Sequence, residues 1–472
     1  MHIEQIYTGC LAQGTYYIVS NGEAAVIDPL REIKPYLERA IKDNVKIKYV
    51  FETHFHADFV SGHVDLAKAT GAIIIYGPNA NPSFDAHITK DNEIVKLGDI
   101  SIKVLHTPGH TMESTCYLLK DKNGKDYCVF TGDTLFIGDV GRPDLAQKSN
   151  EITQEQLAET LYHSLRTKIT TLADDVIVYP AHGAGSACGK NMSKETVSTI
   201  GEQKKFNYAL RATMTKEEFV KEVTDGLTPP PAYFPMNVAM NKEGYDSIND
   251  VMKRGLQTLS ADVFEEASNH SGAIMLDTRI PAIFCQGFIP NSINIGLNGQ
   301  FAPWVGSLIP DVKQALLLIT EPGKEEESVM RLARVGYDNV IGILEGGIDA
   351  WKKAGKEVDT VNRVTATEFA NQYSTGNTIV IDIRRPGEFE SGHIKNAISI
   401  PLINMNEQLA EFPKDKPFYI HCATGHRSMI AASMLKSRGW ENFMEVEGGI
   451  SAIQKTSFPE TEIIQETSEK TK

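Results

Sequence analysis

Apolar residues in the first two hundred positions fall into short blocks separated by polar turns, and the period within each block identifies an element. Tyr16 to Ile27 reads as a hairpin turned by Asn21-Gly22, a pair suited to positive backbone angles. Pro35 to Asn44 reads as a helix, Ile47 to Glu52 as a strand, and a further helix ends near Thr70. Ile73-Ile74-Ile75 is a buried strand, while Ile100 to Val104 alternates as a half-buried strand does. Cys116–Leu119 and Tyr127–Phe130 flank an Asn123-Gly124 turn. Thr153-x-x-Gln156 is a capping box opening a helix through Leu172, and Val176–Tyr179 is the last strand of the series. This alternation predicts a layered α/β domain.

The strands share a habit at their ends. Tyr49-Val50-Phe51 runs into Thr53-His54-Phe55-His56-Ala57-Asp58-Phe59, and Val104 is followed by Thr107-Pro108-Gly109-His110. Phe130 leads to Thr131-Gly132-Asp133, and Tyr179 to Pro180-Ala181-His182. Strand ends of a layered fold converge on one rim, so these imidazoles and carboxylates are expected to meet there. Imidazole with carboxylate is the donor set of Zn, Fe and Mn, which makes a metal site the first hypothesis. His63, His87 and His106 fit none of these motifs and read as structural.

Beyond Thr213 the texture changes. A short charged helix, Lys216 to Val223, gives way to Thr228-Pro229-Pro230-Pro231-Ala232-Tyr233-Phe234-Pro235. That stretch reads as a linker in preference to an arm covering the site. The chain then repeats itself. Leu276-Asp277-Thr278-Arg279 matches Ile381-Asp382-Ile383-Arg384, and Glu345-Gly346-Gly347 matches Glu447-Gly448-Gly449. The repeat is a whole domain, with boundaries near 245 and 360. The expected division is 1–245, 246–358 and 359–460, with a polar, frayed tail over 461–472.

Composition narrows the class. A net charge of −14 argues against a nucleic-acid partner, and no apolar run is long enough to span a bilayer. The N-terminus carries no secretory pattern. Six scattered cysteines without a Cys-x-x-Cys pair suit a reducing cytoplasm, so cytoplasmic localisation is expected.

Taken in order, His54-x-His56-x-Asp58, Thr-Pro-Gly-His110, Thr-Gly-Asp133 and Pro-Ala-His182 resemble the metallo-β-lactamase superfamily. The resemblance implies an N-terminal αββα sandwich. Hydrolases of the group, such as glyoxalase II, place a second-metal His where this chain has Phe59. The segment Gly132 to Asp144 looks more like persulfide dioxygenases. That resemblance implies one Fe(II) per chain held by His54, His110 and Asp133, with His56, Asp58 and His182 behind them orienting ligands and solvent. It also implies that Arg142 binds a carboxylate-bearing thiol substrate. Cys188, in a Gly-rich turn after His182, reads equally as a persulfide relay or as structural.

In the last domain, Phe418-Tyr419-Ile420-His421 ends in Cys422-Ala423-Thr424-Gly425-His426-Arg427, followed by a helix from Ser428 to Ser437. A Cys cradled by successive amides at a helix N-terminus has its thiolate stabilised, and Arg427 adds a donor fork. This resembles rhodanese, with Asp382, Arg384 and the Glu447-Gly448-Gly449 motif in support. The middle domain has the same frame, but Thr320-Glu321-Pro322-Gly323-Lys324-Glu325 stands where the Cys loop recurs. The expected fold is therefore α/β: a metallo-β-lactamase sandwich followed by two rhodanese-like α/β domains, the first degenerate.

The resemblance implies a low-molecular-weight thiol persulfide and O₂ as substrates, with sulfite and thiosulfate exchanged at Cys422, in persulfide detoxification. A homo-oligomer, dimer or tetramer, is expected. Two alternatives stand beside it: a glyoxalase II-like dinuclear zinc thioester hydrolase with an appended sulfurtransferase, and a non-enzymatic sulfur-carrier or sensing assembly.

Overall fold

The computed structural model describes residues 1–146, 152–373, 377–459 and 463–464. It divides into two compact units, one formed by Met1–Val251 with Pro310–Val312 and Met330–Tyr337, the other by the remainder.

The first unit is built on two six-stranded sheets. One runs in sequence order: His2–Thr8, Gln13–Ser20, Glu23–Ile27, Lys46–Phe51, Ile73–Tyr76 and His87–Ile88. The other runs Ser198–Thr199, Ile177–Pro180, Asp126–Gly132, Thr115–Lys120, Ile100–His106 and Ile94–Leu97. The hairpin at Asn21-Gly22 pairs Tyr16 with Ile27, both turn residues taking positive φ.

Side-chain alternation decides which layer each residue joins. Tyr16, Ile18, Ala25 and Ile27 face the second sheet, where they meet Val104, Tyr117 and Phe130. Their neighbours Tyr17, Ala24 and Val26 face outward onto Tyr36 and Ala40 of the helix Lys34–Lys42. The outer face of the second sheet is covered by Ala158 and Leu161 of the helix Gln154–Ser164 and by Phe219 of Lys216–Thr224. With both faces covered, these strands read as nearly continuous apolar runs. The capping box at Thr153 is formed, but the helix it opens gives way to a π turn over Leu165–Ile169 before Leu172.

The Pro-rich stretch is exposed at Thr228, Pro229 and Pro230 and half-buried at Pro231. It leads into a helix, Phe234–Glu243, with Pro235 in the first turn, where its missing N–H costs nothing. Tyr233, Phe234, Asn237 and Asn241 are all buried. Asn241 donates to the carbonyls of His56 and Phe59, at 2.8 Å each, and accepts from the Ser61 N–H at 2.8 Å. The first compact unit includes this segment and runs to Val251.

The second unit carries two five-stranded parallel sheets of the same strand order. The first runs Thr258–Leu259, Val340–Leu344, Leu316–Ile319, Ile274–Asp277, Ile293–Asn294. The second runs Arg363–Val364, Phe443–Val446, Phe418–His421, Val380–Asp382, Ile398–Ser399. Of the tail, Ile463–Ile464 pairs antiparallel with His393–Ile394 rather than fraying; the rest of 461–472 lies outside the described residues. No helix among the described residues is long and apolar enough to cross a membrane.

Candidate metal centre and sulfur-transfer loop

In the first unit the predicted residues leave their strands at one rim and are buried there. Ligand atoms of His54, His110 and Asp133 lie within 4.8 Å of one another. Asp133 Oδ2 stands 3.8 Å from His54 Nε2 and 3.4 Å from His110 Nε2, and it has no hydrogen-bond partner. Two contacts set the imidazole tautomers. Thr53 gives its hydroxyl proton to Asp28 at 2.9 Å, so its oxygen accepts from His54 Nδ1 at 3.0 Å. His110 Nδ1 is 2.8 Å from the Arg142 carbonyl, which can only accept. In the neutral imidazoles this leaves the lone pair on Nε2, and both Nε2 atoms face the orphaned carboxylate oxygen. A cation is the group that satisfies all three, and the donor set fits one.

A second group adjoins the first. His182 places Nδ1 2.7 Å from Asp133 Oδ1 and Nε2 2.9 Å from Asp58 Oδ2. Burial works against a charge on His182, but the two carboxylates outweigh it and raise its pKa well above the ordinary value. Burial likewise pushes Asp133 up, and the surrounding imidazoles more than reverse it, holding the carboxyl below the usual range. Ligand atoms of His56, Asp58 and His182 are also within 4.8 Å of one another. His56 Nε2, however, sits 3.1 Å from Asp28 Oδ1. Phe59 is fully buried with its ring 4.3 Å from that of His56.

Arg142 is buried and its fork is already taken. Nε and Nη2 each donate to Asp144 at 2.7 Å, Nη1 to the Ala187 carbonyl at 3.2 Å, and Nη2 also to the Thr228 carbonyl at 2.5 Å. Cys188 groups with Asp133 and His182 and is only 1% exposed. Burial, reinforced by Asp58 and Asp133, raises its thiol pKa well above the ordinary value. His63, His87 and His106 stand outside these groups. His87 bonds Glu93 at 2.6 Å, and His106 Nε2 is 3.0 Å from the Met112 carbonyl.

Asp28 and Asn241 belong to this site without standing in any of the four motifs. Asp28 was accessible to the strand-end rule, since it follows Val26-Ile27 directly. Asn241 carried no signal; its contacts are 180 and more residues away along the chain.

In the second unit the strand Phe418–His421 delivers Cys422 to the head of the helix His426–Lys436, which begins two residues earlier than expected. Gly425, at φ 97°, turns its N–H onto Cys422 Sγ at 3.1 Å, and Ser428 Oγ is 3.5 Å from the same sulfur. The Glu447-Gly448-Gly449 motif supports the loop from below. The Ile450 N–H donates to the Cys422 carbonyl at 2.9 Å, and a Cβ on Gly449 would meet that oxygen at 2.2 Å. Asp382 and Arg384 form a buried pair, the guanidinium reaching on to the Gly392 carbonyl at 2.7 Å. Ala423 and Thr424 complete the loop, with Ala423 O accepting from the Ser451 N–H. His426 is largely buried, which lowers its pKa. Arg427 pairs with Glu388.

The metallo-β-lactamase superfamily matches residues 8–182, and the rhodanese-like domain matches twice, at 260–354 and 365–456. The chain is 32% identical over 241 residues to the human mitochondrial persulfide dioxygenase ETHE1, covering 51% of this chain and 82% of that protein. It is 28% identical over 214 residues to a probable hydroxyacylglutathione hydrolase of Schizosaccharomyces pombe, covering 40% and 78% respectively. A metallo-β-lactamase crystal structure from Staphylococcus aureus subsp. aureus COL superposes with a TM-score of 0.63 at 28% identity, covering 73% of this chain and 98% of that one. The chain belongs to the metallo-β-lactamase superfamily, as a homologue of the ETHE1 persulfide dioxygenases continued by two rhodanese-like domains.

Proposed function

We propose that the chain is a non-haem Fe(II) persulfide dioxygenase coupled to sulfur transfer at Cys422, acting in persulfide detoxification. The observation that carries this reading is the orphaned Asp133 Oδ2 facing the Nε2 atoms of His54 and His110, with the buried Phe59 ring packed 4.3 Å from His56 beside them. His54, His110 and Asp133 would hold the iron, which when bound would supply the redox chemistry for oxygenation of a persulfide sulfur by O₂. The protein's part is positional. Thr53 and the Arg142 carbonyl hold the two imidazoles, His182 occupies Asp133 Oδ1 so that Oδ2 remains for iron, and Phe59 fills the neighbouring space. One persulfide, one O₂ and one water yield thiol, sulfite and two protons.

At Cys422 the thiolate attacks the sulfane sulfur of a second persulfide and releases its thiolate. Sulfite then attacks the outer sulfur of the Cys422 persulfide, giving thiosulfate and restoring the thiolate; the reverse direction uses the same bonds. The Gly425 N–H faces the sulfur that bears the charge. The reading includes a cytoplasmic location, a dimeric or tetrameric assembly and a low-molecular-weight thiol as carrier.

A dinuclear zinc thioester hydrolase is the second reading, favoured by the His56, Asp58, His182 group and by the hydroxyacylglutathione hydrolase relatives. Metal analysis of anaerobically purified protein, with O₂ uptake on glutathione persulfide, separates the two. One iron per chain with O₂ consumption is expected; two zincs with thioester hydrolysis and no O₂ uptake would overturn the proposal.

A further inference from the structure

The guanidinium of Arg427, at the end of the sulfur-transfer loop, does not stand open. Nη1 donates to Glu388 Oε2 at 2.6 Å and Nη2 to Glu388 Oε1 at 2.7 Å, a parallel two-bond pair. The hydrogen bonds from Arg427 hold the Glu388 carboxyl down at about 2, so it is charged whenever the protein works. Arg427 closes the loop that Cys422 opens, in the first turn of the helix His426–Lys436. Arg384, the other guanidinium of this frame, is committed to Asp382 and the Gly392 carbonyl.

Thiosulfate and sulfite carry two or more oxygens on one sulfur, and a guanidinium fork binds such a group as it binds a carboxylate. Glu388 already presents that pair of oxygens. Its side chain keeps 36% of its accessible surface while that of Arg427 keeps 15%, so solvent reaches the carboxylate more readily than the guanidinium. A partly exposed pair of this kind exchanges at modest cost.

We infer that Glu388 is a specificity-determining residue, an internal competitor that oxyanions must displace from Arg427 before they react at Cys422, whereas a persulfide without an oxyanion need not. The inference rests on the reading of Cys422 as the sulfur carrier. No bond is made or broken in this step; one anion replaces another on the fork. Glu388 also accepts from the Arg385 N–H at 3.1 Å, closing the first turn of the helix Pro386–Glu390. A glutamine keeps that cap while losing the charge.

The test uses the full-length chain with Glu388→Gln and two sulfur donors, thiosulfate and the persulfide of 2-mercaptoethanol, with cyanide as acceptor. Releasing Arg427 is expected to lower the KM for thiosulfate about fivefold, with kcat and the persulfide KM each moving less than about twofold. Sulfate, an inert oxyanion, should inhibit persulfide transfer with a Ki lowered by the same factor. Glu388→Asp, too short to bridge both nitrogens, should move both constants in the same direction by less. A thiosulfate KM that stays or rises, or constants for both donors that move in parallel, overturns the inference. Cys422→Ser in the same assays tests the underlying reading separately. Transfer that survives in Cys422→Ser removes the sulfur carrier, whatever Glu388→Gln does.

Discussion

The two rhodanese-like halves share a skeleton to the level of single glycines and differ in nearly every group that touches sulfur. Asp277–Arg279 and Asp382–Arg384 make the same buried pair at 2.6 Å, each guanidinium reaching a glycine carbonyl, Gly287 or Gly392. Gly323 and Gly425 both turn left-handed inside their loops. Gly347 packs under the Thr320 carbonyl as Gly449 packs under that of Cys422. Aligned on these points, Thr320 stands for Cys422, Glu325 for Arg427, Ile283 for Glu388 and Ile343 for the buried Glu445. Where the cation is gone, its carboxylate partner is gone too. The frame is therefore separable from the chemistry: a buried ion pair and a glycine shelf hold the loop's shape, whatever side chains it presents.

Exchanging the residue at the nucleophile position should have the largest effect. Cys422→Ser should reduce sulfur transfer from thiosulfate by about a thousandfold or more, because a neutral hydroxyl replaces a thiolate. Thr320→Cys should add no transfer, since Glu325 sets a negative charge where Arg427 stands. A standard cyanide assay reads both, and transfer gained on adding Thr320→Cys to the Cys422→Ser chain would show that the first half lacks only its sulfur.

The frame itself should fail symmetrically. Asp277→Ala and Asp382→Ala each leave a buried guanidinium unpaired, at an expected cost of about 3–5 kcal/mol, measurable by denaturant unfolding. Unequal losses would mean that the two pairs are not equivalent supports. The glycine shelf should respond less evenly. Gly347→Ala pays mainly for its left-handed backbone, about 1–2 kcal/mol, with the new Cβ 3.2 Å from the Thr320 oxygen. Gly449→Ala adds a clash at 2.2 Å from the Cys422 oxygen and should lower transfer as well as stability.

The smallest effect is a pH slope. The Glu388 carboxyl lies at about 2 in the folded chain, below the roughly 4.3 of a free glutamate, so the unfolded chain takes up this proton first. Its contribution to stability is complete above about 4.5 and falls away as pH drops toward 2. Unfolding followed over that window should therefore be less steep with pH in Glu388→Gln than in the native chain. Ile283 gives the other half no such slope. Identical slopes would dissociate Glu388 from Arg427.

Much of this was legible in the chain because apolar runs that end in His or Asp beside Gly or Pro announce both a strand and its exit. His54, His110, Asp133 and His182 stand out that way and the fold brings them together, while the strand and helix around Cys422 single it out. What escaped notice depends on partners remote in sequence or on groups that satisfy each other. Prolines 229–231 look like a linker, yet the helix beyond them carries Asn241 onto the His56 loop. Arg142 looks free for substrate until Asp144, two residues on, is seen in its fork. Glu445 sits in an ordinary strand, and only the fold brings it against Ser428, which in turn touches Cys422.

The central claim is that one metal centre oxidises persulfide and a separate loop consumes the sulfite. Persulfide, O₂, sulfite and thiosulfate measured together, in native chain and Cys422→Ser, test it most directly. Two persulfides and one O₂ per thiosulfate are expected in the native chain, and one persulfide, one O₂ and one sulfite without thiosulfate in the variant. Thiosulfate from the variant at the native rate, or loss of O₂ uptake in a folded variant, would contradict it.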